Sequence, residues 1–131
     1  LRTLDLQSNL LTCYRTGTLQ NITGASNAAF TGRAETRTIN LENNPLSRLS
    51  IRRIIQDAYD VYEIMGDNRL RDLNIKLKAT KPDISAGTYS NWQLNDIFNT
   101  LSGGAEDPLK TKLRELSSSR INIDLFDVPI V

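Results

Sequence analysis

The residues between Leu46 and Met65 constrain this chain more than any other stretch. Ile51, Ile54, Ile55, Ala58, Tyr62 and Met65 recur at i, i+3, i+4, i+7, i+11 and i+14. That spacing draws one apolar stripe along about four turns of helix. Asn44 can cap such a helix, and Pro45 suits its first position, where a missing N–H costs nothing. Gly66 ends it. A helix of this length with one apolar face must be buried against other elements, so the remaining chain has to supply a matching surface.

Helical spacing is also found on either side. Leu4, Leu6, Leu10, Leu11 and Tyr14 lie largely on one face of a helix over residues 3–15, closed by Gly17. Leu70, Leu73 and Leu77 predict a helix over residues 68–79, broken by Lys81-Pro82-Asp83. Ser90 with Gln93 opens residues 90–101 as a capping box, with Leu94, Ile97, Phe98 and Leu101 on its buried face. Asp107-Pro108 opens residues 108–119, lined by Leu109, Leu113 and Leu116. The helix at the centre takes residues 45–65. Residues 16–44, punctuated by Gly17, Gly24 and Gly32, form an irregular loop anchored by Phe30. After Arg120 the alternation of Ile121, Ile123 and Leu125 suggests an extended tail. The expectation is therefore all-α: a single domain built as an up-down four-helix bundle, with the 16–44 loop and an extended C-terminal tail. No internal repeat or low-complexity tract is evident.

Function is constrained mainly by what the composition lacks. The chain has 131 residues, with 16 basic and 15 acidic side chains and no histidine. Without histidine, the commonest general base and the commonest metal ligand are both missing. The net charge of +1 argues against a dedicated duplex nucleic-acid binder. Apolar runs of two or three residues cannot span a membrane. The start shows no signal-peptide pattern, and the chain opens at Leu1, as a processed or excised form would.

Individual candidates for chemistry are weak. Cys13 has no partner for an internal disulfide and no histidine to activate it, so it reads as a buried structural thiol in a helix. Asp57, Asp60 and Glu63 lie three apart on the long helix, a spacing expected of a solvated face. Asn21-Ile22-Thr23 has the form of a glycosylation sequon. No catalytic, cofactor-binding or metal-binding set is predicted.

The charge pattern of the long helix is more informative. Arg48, Arg52 and Arg53 sit at its start, and Asp57, Asp60, Glu63 and Asp67 towards its end. A helix dipole favours the opposite order, although Arg53 and Asp57 can pair at i, i+4. A local rule broken in this way suggests a second purpose. Arg33, Arg37, Arg48, Arg52 and Arg53 are therefore candidates for a basic docking patch, with Trp92 as a further docking residue.

Residues 95–116 carry a resemblance. Asn95-Asp96-Ile97-Phe98-Asn99-Thr100-Leu101 leads through Gly103-Gly104 into Pro108-Leu109-Lys110-Thr111-Lys112-Leu113-Arg114-Glu115-Leu116. This resembles the last two helices of the small extrinsic four-helix subunits of photosystem II. The resemblance implies a four-helix fold and a non-catalytic subunit of the thylakoid lumen, docked on membrane-intrinsic subunits, stabilising or shielding the oxygen-evolving side. The expectation is a non-enzymatic accessory or structural subunit of a larger protein assembly, monomeric in isolation, needing neither nucleic acid nor cofactor. The alternative is a self-assembling viral or phage coat or connector protein.

Overall fold

A computed structural model describes residues 3–23, 38–65, 73–77, 80–83, 88–91, 97–99, 101–119 and 121–124. In chain order the elements are β1 (Thr3–Asp5), α1 (Thr18–Thr23), β2 (Thr38–Asn40), α2 (Arg48–Met65), β3 (Leu73–Lys76), β4 (Thr80–Asp83) and β5 (Thr88–Asn91). A 3-10 turn (Ser102–Gly104), α3 (Pro108–Leu116) and β6 (Ile121–Asp124) follow. β4 and β5 pair antiparallel, and the other four strands form a parallel sheet in the order β1-β2-β3-β6.

This overturns the all-α four-helix bundle expected from the sequence and from the photosystem resemblance. The long helix and the helix after Pro108 stand, but the predicted helix over 3–15 holds β1 and the coil after it. The predicted helix over 68–79 holds β3, and the 16–44 loop holds α1 and β2. Residue 91 of the predicted 90–101 helix ends β5, and residues 92–96 lie outside the described residues. Of the expected extended tail, residues 121–124 are extended and form the strand at the other edge of the sheet, and residues 125–131 lie outside the described residues.

The sheet is built on a repeated plan. Its register sets Leu4 beside Ile39, Ile39 beside Ile75, and Ile75 beside Ile123, steps of 35, 36 and 48 residues. The same backbone bond recurs two residues on: Leu6 N–H donates to Asn40, Leu41 N–H to Lys76 and Leu77 N–H to Asp124, each at 2.8 Å. Ser8 and Asn43, 35 residues apart, both take the left-handed conformation, with φ of 56° and 59°. The expectation of no internal repeat is thereby corrected. Between successive parallel strands the chain crosses through a helix, as parallel pairing requires. α1 packs on α2 and α2 on α3, so the helices stack in the same order as the strands.

One core fills the space between these two layers. Ile51, Ile54, Ile55, Ala58 and Val61 of α2 are fully buried against Ile39, Leu73, Ile75 and Ile121 of the sheet. Two side chains change role relative to expectation. Ser47 caps α2, its hydroxyl oxygen accepting from Ser50 N–H at 3.1 Å, so α2 starts at Arg48 rather than at Pro45. Asn44 is thereby free for other contacts. Cys13 is exposed, because it lies on coil after β1 and not inside a helix. At α3 the Asp107-Pro108 pair forms the expected cap, with Asp107 accepting from Leu109 N–H at 3.0 Å.

Candidate functional site: the open face of the parallel sheet

Parallel sheets are usually covered on both faces, and their strands are then apolar throughout. These strands alternate. Leu4, Ile39, Leu73, Ile75, Ile121 and Ile123 turn towards the helices. The residues between them are polar and form two rows across the sheet. One row is Thr3, Thr38, Asn74 and Asn122, and the next is Asp5, Asn40, Lys76 and Asp124. Thr3, Asp5, Lys76, Asn122 and Asp124 are exposed, and Thr38, Asn40 and Asn74 are half-buried. Strand spacing of about 4.8 Å fixes the step between neighbours in a row. Asn122 donates its side-chain amide to the Asn74 side chain at 3.1 Å, so the two amides are held in line. The surface presents donors, acceptors and both charges on rigid backbone, which suits recognition of a polar protein surface.

Two buried polar clusters hold this platform to the helical layer. Asp57, expected on a solvated face, is completely buried. Its carboxylate accepts from the Tyr14 hydroxyl at 2.6 Å and from Gly17 N–H at 2.8 Å. Gly17 has φ of 93°, a conformation that a side chain would strain. Burial, followed by the hydrogen bond to Asp57, raises the Tyr14 phenol well above its usual range. Tyr14 in turn accepts from Leu19 N–H at 2.8 Å, which fixes the start of α1.

The second cluster centres on Asp107, which is 3% exposed. Arg52 Nη1 donates to it at 2.8 Å and also to the Ile97 carbonyl at 2.8 Å. Asn99 N–H donates to the same carboxylate at 2.8 Å. Burial works to raise the Asp107 pKa, but the Arg52 hydrogen bond, the Asn99 and Leu109 N–H groups and the Arg52 charge together lower it to about 2.

The structure places the predicted docking residues as follows. Arg48, Arg52 and Arg53 do come together at the start of α2. Arg48 donates to the Asn99 side chain, Arg52 forms the ion pair just described, and Arg53 donates to the Tyr14 carbonyl at 3.3 Å. The i, i+4 pairing of Arg53 with Asp57 is thus replaced by separate partners for each. Arg53 and Lys112 line an open cleft of about 410 Å³ with Gln56 and Asn99. Arg33, Arg37 and Trp92 lie outside the described residues. Helical spacing had hidden the sheet-face residues; the polar positions flanking Leu4, Ile39, Ile75 and Ile123 were the available signal.

Among the described residues, no three acidic or cysteine side chains gather as a metal site, and no helix is long and apolar enough to cross a membrane. No family model, curated protein or solved structure matches the chain.

Proposed function

We infer that this chain is a non-enzymatic docking module of the solenoid kind, with the open face of its parallel sheet as the surface that receives a protein partner. The observation that carries this reading is the pair of polar rows on a parallel sheet whose helices, among the described residues, pack on its other face. Stacked repeats commonly use such extended faces for binding.

The sequence around β1 and β2 supports it. Leu1-x-x-Leu4-x-Leu6-x-x-Asn9-x-Leu11 has the arrangement of a leucine-rich repeat, and Ile39-x-Leu41-x-x-Asn44-x-Leu46 has its second half. Thr36 stands where the second copy would open with leucine, and the step of 35 residues is longer than the roughly 20–29 of that class.

Docking on a larger assembly, expected from the sequence, is thus retained and assigned to a different surface. Site-specific photocrosslinking in the source cells tests it. A crosslinker at Asn40 or Lys76 should give a defined adduct with a protein partner, and one at Ser118, beyond α3, should not. Adducts from Ser118 alone, or from all three positions equally, would remove the sheet face as the docking surface.

A further inference from the structure

The open cleft of about 410 Å³ beside α2 and α3 carries more positive charge than its own acid balances. Arg52, Arg53 and Lys112 line it, and among the described residues Asp107 is the acidic side chain that does so. Asp107 is buried and paired with Arg52 at 2.8 Å. Arg53 and Lys112, both half-buried, meet neutral acceptors instead. Arg53 Nη1 donates to the Tyr14 carbonyl at 3.3 Å, and Lys112 Nζ donates to the Gln56 side chain at 3.0 Å and lies 5.4 Å from the centre of the Tyr59 ring. Asp60 and Glu115 accept from Gln56 and Tyr59 rather than from these cations. Among the described residues neither cation has a carboxylate within ion-pair distance, whereas Arg114, two residues beyond Lys112 and outside the cleft, is paired with Glu106. Partial burial strengthens the field of the two unbalanced charges.

The start of α3 offers no cradle to a phosphate. Pro108 has no N–H, Leu109 N–H is bonded to the Asp107 carboxylate, and Lys110 and Thr111 N–H are bonded to the Asp107 carbonyl. An anion here must therefore be held by side chains. Those side chains stand on different helices: Arg53 lies three residues before Gln56 on α2, and Lys112 reaches Gln56 from α3. Charges divided in this way suit carboxylates spaced along a chain better than one compact anion. The same cleft is lined by exposed apolar surface, at Leu101 and Pro108. Cations and apolar groups side by side match a ligand that carries acidic and apolar side chains together.

We propose that the α2–α3 cleft is a second binding site, which takes an acidic segment of a protein partner. Its carboxylates meet Arg53 and Lys112, and an apolar side chain between them rests on Leu101 and Pro108. The Arg53 guanidinium can take a carboxylate through two N–H groups, and Lys112 acts as a point charge. Complementary charge of this kind steers encounter and fixes the direction of the bound segment. The site belongs to the helical layer, so it is separate from the polar rows on the other face of the sheet.

A capped fluorescent peptide of glutamates around a central leucine is the probe, titrated by anisotropy at low and high salt. Binding should be measurable at low salt, weaken as salt rises, and be lost when glutamine replaces the glutamates. Arg53→Gln with Lys112→Gln, which keeps hydrogen-bonding side chains at both positions, should weaken it by about fivefold or more. Lys110→Gln, on α3 but not lining the cleft, should change it by less than about twofold. In amide spectra the peptide should shift Arg53, Gln56 and Lys112 and leave Asn40 and Lys76 in place. The salt series, the glutamine peptide and the spectra all use the parent protein, so they decide the matter even if the double variant melts early. Absence of binding, equal binding of the glutamine peptide, or shifts at Asn40 and Lys76 alone would overturn the proposal. Inorganic phosphate that shifts Arg53 and Lys112 at concentrations as low as the peptide does would overturn it in favour of a small-anion site. None of these outcomes depends on what binds the open face of the sheet.

Discussion

The Asn44 side-chain amide donates to the Leu6 carbonyl at 2.9 Å, joining two turns of the chain 38 residues apart, while its oxygen accepts from Leu11 N–H. A buried amide that makes bonds to two turns cannot be removed without stranding their backbone groups. Asn44→Ala should destabilise the fold by about 2–4 kcal/mol. Asn44→Asp should cost a similar amount, because a carboxylate cannot donate to Leu6 and Leu41. Urea unfolding of both variants measures this, and a loss below about 0.5 kcal/mol would mean that water replaces the clamp.

Tyr14 and Asp57 form the other long-range polar tie. Tyr14→Phe removes the 2.6 Å bond to a fully buried carboxylate and the acceptor for Leu19 N–H. The expected cost is about 1–3 kcal/mol, the range for a buried partner left unsatisfied. The loss should appear first as faster exchange of the Leu19 amide, because α1 is fixed there. A Leu19 amide as protected as in the parent chain would show that α1 does not depend on the phenol.

Acid should unfold the protein partly through Asp107. Its folded pKa, about 2, lies below its ordinary value of 3.8. A lowered carboxylate pKa contributes stability that is complete above the unfolded value and lost as pH falls towards the folded one. The window is therefore about pH 4 down to pH 2, and the contribution is on the order of 1–2 kcal/mol. Asp107→Asn should flatten the stability profile across that window. Arg52→Glu should destabilise at neutral pH by bringing like charges together. Melting temperatures from pH 2 to pH 7 measure both effects.

Phe98 is 6% exposed and Leu101 is 38% exposed. Phe98→Ala should cost about 3–5 kcal/mol. Leu101→Ala, at a position first expected in the core, should cost less than about 1 kcal/mol. Equal losses at the two positions would place the segment before the 3-10 turn differently.

The two longer helices were legible in the sequence, and the sheet was not, for a physical reason. α2 spans 18 residues and α3 nine, enough for a 3.6-residue period to show. The parallel strands have three or four residues each, too few for a two-residue period to stand out. Leu4 and Leu6, or Leu73 and Leu77, satisfy either period, and flanking leucines tipped the reading towards helix. Asn44 was read as a helix cap because asparagine before Pro45 so often is one. Its recurrence as Asn9, three residues after the second apolar residue of Leu4-x-Leu6 as Asn44 is after that of Ile39-x-Leu41, was the signal that would have revealed the turn-by-turn plan. Of the site, the arginine cluster was visible as charge, whereas the polar rows exist only once the strands are aligned.

Sequential strand order also determines how the molecule would respond to force. Each parallel strand is bonded to the strand beside it in the order β1-β2-β3-β6. Tension applied at Thr3 and Asp124 therefore loads the two outermost strands of the sheet. Those strands would peel away one at a time, each release breaking one short row of bonds and freeing the helix that follows or precedes it. Resistance to stretching should be low and stepwise, with each step set by one crossover of chain, unlike a sheet whose terminal strands lie side by side and must shear together.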